Sequence, residues 1–250
     1  MNLWHIILIL IVGLASGFIN TIAGGGSSIT LPLLMFLGLS PNMANGTNRI
    51  AILMQSIAGV GTFRKNNIMT LSEGWKLALP SAAGALVGAL VAVKVNEELM
   101  KWFVIAVMLG VLLLLIFKPE VWIKDHAQSA RAQNKYLQML IFFAIGFYGG
   151  FIQVGVGFLL LAGLVLGCGH DLVKGNALKV LIVLVYTIIA LVIFFANSKV
   201  NIGIGLILGC GSMVGAWLGA KFTIKGGAVY VRYFLIVTLV AMILKLSGVF

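Results

Sequence analysis

Residues 17–28 read Gly17-Phe18-Ile19-Asn20-Thr21-Ile22-Ala23-Gly24-Gly25-Gly26-Ser27-Ser28. Three consecutive glycines cut an apolar run, with an amide before them and hydroxyls after them. The pattern continues through Leu31-Pro32, Gly38 and Asn45-Gly46-Thr47-Asn48-Arg49. A degenerate copy follows later: Gly150-Phe151-Ile152-Gln153, Gly155-Val156-Gly157, Gly167 and Gly175-Asn176-Ala177-Leu178-Lys179. Glycine-broken polar segments at corresponding places in two apolar halves point to a transporter and to its binding site.

Composition sets the class. The chain is 61% hydrophobic and only 9% charged, with a mean hydropathy of +1.14; soluble domains carry about 25% charged residues. Several apolar stretches reach the roughly 20 residues that span a bilayer as a helix. Evenly spread glycine without period-two alternation argues against a β-barrel. The expected fold is an all-α polytopic membrane protein with no soluble domain. Met1 to His5 carry no Lys or Arg, a poor start for a cleaved signal peptide. The net charge of +11 fits loops facing anionic lipid rather than nucleic acid. Cys168 and Cys210 sit in apolar runs outside any C-x-x-C pair and read as small buried residues.

Apolar segments lie at about 3–22, 27–39, 45–62, 75–93 and 101–117. A polar connector covers 118–136, and further segments lie at about 137–153, 156–168, 177–196, 202–220 and 229–247. This divides the chain into a first repeat (1–117), a cytoplasmic connector (118–136) and a second repeat (137–250). The segments at 27–39 and 156–168 are too short to span at about 1.5 Å per residue. Each is expected to form a re-entrant or discontinuous hairpin with the segment before it, because irregular backbone at membrane depth needs a protein or cavity lining. Five elements per half then place the second half upside down. Under that inverted arrangement, 12 of the 17 basic residues fall inside and 5 outside; eight full spans in a parallel repeat give 9 against 8. The positive-inside rule favours inversion. Trp4, Trp75, Trp102 and Trp122 read as interfacial anchors. Gly84-x-x-x-Gly88 and Gly211-x-x-x-Gly215-x-x-x-Gly219 read as close helix-packing faces in the fourth element of each half.

The six acids, Glu73, Glu97, Glu98, Glu120, Asp125 and Asp171, all fall in loops or at segment ends. That argues against a carrier of cations, which keeps a carboxylate in the membrane. Arg49 and Lys179 instead occur early in apolar helices, at matching places in the two repeats, so a small anion is their natural partner. The alternative is that both snorkel to the headgroups. Asn45, Asn48 and Arg49 share one helix face, as do Asn176 and Lys179. Gly24, Gly25 and Gly26 with Ser27 and Ser28 open a short helix whose free N–H groups attract anions. The second half offers Gly155 and Gly157 but has Phe158 and Leu159 in place of the serines, a half-site poorer in hydroxyl donors, and Asn20 and Gln153 hold equivalent places before the glycines. These residues form the candidate substrate site. No P-loop, catalytic set or metal spacing occurs, so no enzyme activity, metal or cofactor is expected. His170-Asp171 reads as a helix cap.

The same residues resemble the TauE/SafE family of membrane permeases. The resemblance is carried by 17–26, Leu31-Pro32-Leu33, Gly38, 45–49, Gly149 to Gly157 and 175–179; this chain has Leu161 opposite Pro32. It implies a multi-pass inner-membrane secondary carrier of small anions, with sulfite and organosulfur anions as the associated substrates. A homodimer is compatible with it. A passive anion channel or a non-transporting membrane scaffold are the alternative classes.

Overall fold

The computed structural model describes residues 2–103 and 135–246, with side chains through residue 226. The elements are α1 (Leu3–Ile22), α2 (Ser27–Phe36), α3 (Pro41–Lys65), α4 (Leu71–Ala92), α5 (Lys135–Phe151), α6 (Val156–Ala162), a π-helical turn (Gly163–Gly167), α7 (Leu172–Ala196) and α8 (Ile202–Leu246). The described residues contain no strand. Four segments among them are long and apolar enough to cross a membrane: α1, α4, α7 and Ile202–Gly226. With large apolar side chains such as Trp4, Ile11, Leu79, Leu140, Val192 and Leu206 exposed around the outside, the chain is an all-α multi-pass membrane protein. The connector, with Glu120, Trp122, Asp125 and His126, and most of the segment at 101–117 lie outside the described residues. So does the boundary between the repeats.

The predicted hairpins are present. The start of α1 (Asn2, His5) and the end of α2 (Phe36 to Gly38) line one surface pocket. The start of α5 (Gln138) and the π-helical turn (Gly167, Cys168) line another. Each short helix therefore returns to the face its partner came from. Gly24 and Gly155, at the two turns, have φ of +93° and +70°, a backbone region open to glycine at little cost. The tips touch: a Cβ on Gly24 would overlap the Gly157 Cα, and a Cβ on Gly157 the Gly24 Cα. Helix α1 is long enough to cross by composition, yet its tip meets the opposing tip instead.

The long helices fix the directions. Gly46 packs on Phe194 and Gly59 on Val180, so α3 and α7 run antiparallel. Gly13 and Gly17 press on the backbone of Leu208 and Ser212, so α1 runs parallel to α8. Gly84 and Gly88 press on that of Phe143 and Phe147, so α4 runs parallel to α5. The small-residue faces act as expected, bringing backbones into contact.

These contacts give the register between the halves and correct two sequence-level equivalences. Helices α3 and α7 each have 25 residues, capped by Ser40 and Asp171 and followed by left-handed Asn67 and Ser198. That aligns Asn48, not Arg49, with Lys179. Gly84 meets Phe143 and Phe147 as its counterpart Gly215 meets Leu14 and Phe18. Asn20 therefore corresponds to Gly149, not Gln153; the glycine motif misleads by one helical turn. A third difference is that the structure runs α8 as one helix through the segments read at 202–220 and 229–247. A fourth is Cys210, which is exposed rather than buried.

Among the described residues, two ion pairs join the halves at opposite ends. Lys174 Nζ bonds Glu73 Oε1 at 2.9 Å, and Lys199 Nζ bonds Glu97 Oε1 at 3.0 Å. Asp171 caps α7 as expected, accepting from the N–H groups of Val173 and Lys174. Partial burial raises the Glu97 carboxyl, but hydrogen bonds from Asn42 N–H, Lys199 and Ser40 outweigh it and hold the group below the usual carboxylate range.

Three variants of the purified protein in detergent test these contacts. Gly84→Val drives a side chain into the Phe143 carbonyl and should lower stability by about 1–3 kcal/mol. Gly61→Ala meets open space and should be neutral or stabilising by up to about 1 kcal/mol; equal melting temperatures for the two variants would contradict the packing. The Glu97 tie is fully present above the ordinary carboxylate pKa of about 4.3 and is lost as pH falls through its lower folded value. Glu97→Gln should therefore lessen the acid-induced loss of melting temperature.

Candidate functional site

The polar residues of the hairpins converge where the tips meet. Asn20, Thr21, Gly24, Gln55, Ser56, Gln153, Gly157 and Lys179 line a cavity together with Ile52, Val180 and Val183. It lies level with the middle of α3. Its open room is about 20 Å³, on the order of one water. Among the described residues, no carboxylate lines it.

Amides organise the walls. Asn20 Oδ1 accepts from Gly26 N at 2.7 Å, closing the first tip, and Asn20 Nδ2 reaches Gln55 Oε1 at 3.4 Å. Gln153 Nε2 donates to Tyr186 Oη at 2.8 Å. Gln55 and Tyr186 are counterparts in the α3/α7 register, so the long helix of each half meets its own half's tip with one polar side chain. Neither was singled out from sequence, and nor was Ser56. Gln55 carried a signal: it lies seven residues beyond Asn48, on the same helix face. Tyr186 sits in an apolar run and carried none.

Both basic residues are buried, Arg49 at 0% and Lys179 at 1% exposure, which rules out snorkelling. Their partners are backbone carbonyls at helix ends. Lys179 Nζ donates to the carbonyls of Asn20 (3.1 Å) and Thr21 (3.0 Å), in the last turn of α1, and to Asn176 Oδ1 (2.6 Å). Arg49 Nη1 donates to the Gly149 carbonyl (3.1 Å) and Gln153 Oε1 (3.5 Å), and Nη2 to the Gly150 carbonyl. Gly149 and Gly150 are the counterparts of Asn20 and Thr21. Asn45 Nδ2 takes the next carbonyl, that of Phe151, at 2.8 Å. The final carbonyls of a helix have no partner within it, and a cation there also meets the negative end of the helix dipole. Each half thus reaches across from its long helix to hold the broken helix end of the other. Arg49 does so from one position beyond the counterpart of Lys179, and its guanidinium also lies 4.6 Å over the Phe194 ring.

The sequence-predicted residues therefore fall into groups. Asn20, Gly24, Gln153, Gly157 and Lys179 line the cavity, and Asn176 stands behind Lys179. Arg49 and Asn45 lie off it, engaged with the end of α5. Ser27 and Asn48 bind each other, and Thr30 donates to Asn48 at 2.8 Å, fastening α2 to α3. Ser28 donates to the Gly25 carbonyl. Gly25 packs on the Phe158 ring, and Gly155 is the left-handed N-cap of α6.

Known proteins match nearly the whole chain. A "Probable membrane transporter protein ORF9" from Sinorhizobium is 28% identical over 97% of this chain and 93% of its own length. A "Probable membrane transporter protein" from Haemophilus influenzae is 27% identical over 88% and 86%. The "Probable membrane transporter protein YfcA" of Escherichia coli K12 is 26% identical over 94% and 87%. No solved structure matches. The sequence profile "Sulfite exporter TauE/SafE" matches residues 9–246, so this chain, with its paired glycine hairpins, belongs to the TauE/SafE family.

Proposed function

We propose that this membrane transporter is a secondary carrier of small oxyanions, with sulfite and organosulfur anions as the leading substrates. The observation that carries the reading is the cavity between the hairpin tips. It gathers amide and hydroxyl groups from Asn20, Gln55, Ser56 and Gln153 around a buried ammonium, with no carboxylate in its lining. Amides and hydroxyls bond the anion's oxygens, and Lys179 supplies positive charge in a low-dielectric setting where it acts strongly. Its three N–H donors already have three oxygen partners, so it works mainly as a field. Arg49 serves as a positioning residue, holding the second tip and orienting Gln153. Sulfur as the central atom rests on the family's name, not on the cavity's chemistry.

Room for about one water does not admit an oxyanion, so substrate entry requires the tips to part. Alternating access supplies that motion if the two repeats, 1–117 and 137–250, are inverted in the inner membrane and rock against each other. The antiparallel α3 and α7 support inversion. Closed tips likewise favour a carrier over an open channel.

Thermal stabilisation of the purified protein by sulfite, sulfate, thiosulfate, sulfoacetate, carboxylates and chloride tests the substrate class. A true ligand at a hundred times its Kd adds about 2.7 kcal/mol of stability. Gln55→Ala should weaken the selective shift at least tenfold in Kd, while Ser28→Ala leaves it unchanged. Absence of any anion-dependent shift in the wild type would overturn the reading. Sidedness tests the inversion. With Cys168 and Cys210 replaced by serine, Lys94→Cys and Lys174→Cys should react with an impermeant maleimide from opposite faces of the membrane; the parallel eight-span arrangement puts both on the same face.

A further inference from the structure

The broken ends of α1 and α5 each present a cluster of oxygens in the interior. At the first, the Asn20 and Thr21 carbonyls and Asn176 Oδ1 surround one point at 2.6–3.1 Å. At the second, the Gly149 and Gly150 carbonyls and Gln153 Oε1 converge. Unwound carbonyls at a half-helix C-terminus are the groups with which secondary transporters hold a coupling metal ion. Here the point at the centre of each cluster is filled by a cationic group from this chain: the Lys179 ammonium in one, the Arg49 guanidinium in the other. All six oxygens are uncharged amide oxygens, the kind of donor that coordinates sodium in secondary transporters and potassium in channel filters.

We infer that Lys179 is a tethered substitute for a coupling cation: it occupies a monovalent-cation site at the end of α1, so the carrier binds its anion without sodium or potassium. The inference rests on the anion-carrier reading only for the word coupling; occupancy of the site stands on its own geometry. Three features support it. The ammonium donates to three oxygens and has no carboxylate among its partners in the described residues, as a bound cation on an amide cage would. Nearly complete burial denies the cluster bulk water, so its oxygens need a resident cation. The counterpart site is filled in the same way by a residue one position out of register, so the requirement is for a cation at the helix end rather than for a particular sequence position.

The test is to remove the tether and supply the ion. Wild type, Lys179→Ala and Lys179→Met are purified in detergent, and their melting temperatures are measured in chloride salts of potassium, sodium, ammonium, methylammonium and N-methyl-D-glucamine at equal ionic strength. Lys179→Ala should melt well below wild type in N-methyl-D-glucamine. It should recover more than half of that loss, saturably, in at least one of the small cations. Lys179→Met, whose side chain fills the site without charge, should stay low in all of them, and wild type should be indifferent to the choice. Equal melting of Lys179→Ala in every salt would overturn the inference. If neither variant folds, the wild type decides: its anion-dependent shift should be the same in sodium, potassium and N-methyl-D-glucamine, and a requirement for sodium or potassium would overturn the inference. A wild type with no anion shift but a cation-rescued Lys179→Ala would sink the anion-carrier reading and leave the cation site standing.

Discussion

A cation buried against the open end of a helix is the constraint on which the centre of this protein depends. A helix that stops inside a membrane leaves carbonyls that neither water nor the next turn can satisfy. Leaving each one unpaired costs several kcal/mol in hydrocarbon. A buried lysine or arginine is costly too. Brought together they offset one another: the carbonyls of α1 receive the Lys179 ammonium, and those of α5 receive the Arg49 guanidinium. Because each cation comes from the other half, neither hairpin can be completed by its own repeat. The halves are joined at mid-depth by these crossings and at their margins by the Glu73–Lys174 and Glu97–Lys199 pairs.

That constraint explains how the rest is built. Tips that stop at half depth must be narrow where they meet, hence glycine at Gly24 and Gly157. Helices that flank a broken neighbour must approach it closely, hence the backbone contacts of Gly13 and Gly17 with α8 and of Gly84 and Gly88 with α5. Glycine and amides therefore concentrate around the tips and the helices that flank them, while large apolar side chains both fill the core, as Phe63, Phe142 and Phe194 do, and face outward, as Leu79 and Val192 do. The polar cavity is the space left between two ends that cannot close completely.

Much of this was legible in the sequence because it follows from local chemistry. Glycine-broken apolar sequence, short returning helices and small-residue faces each state their purpose within a few residues. The helix cap at Asp171 was equally plain. What the sequence hid was three-dimensional. The residues Gly17-Phe18-Ile19-Asn20 and Gly150-Phe151-Ile152-Gln153 look alike, yet packing pairs Gly17 with Gly146, because a helix can slide by one turn and keep the same face. Arg49 and Lys179 were found as buried charges, but not their partners, since a backbone carbonyl has no letter in a sequence. Tyr186 was missed because a tyrosine in an apolar helix is read as core until something is seen bonded to its hydroxyl.

The two hairpins are of unequal length. From Thr21 to the left-handed Gly38 the chain advances seventeen residues; from their counterparts Gly150 to Gly169 it advances nineteen, and the returning arm contains the π-helical turn Gly163–Gly167. The correspondence between the two hairpins is therefore broken near the tips, where they meet. In a carrier, opening toward one side and opening toward the other would then be different motions with different barriers. Detailed balance still fixes the final gradient, but the dwell times on the two sides differ. Such a cycle would be kinetically lopsided, faster to accept cargo from one compartment than from the other at equal concentration.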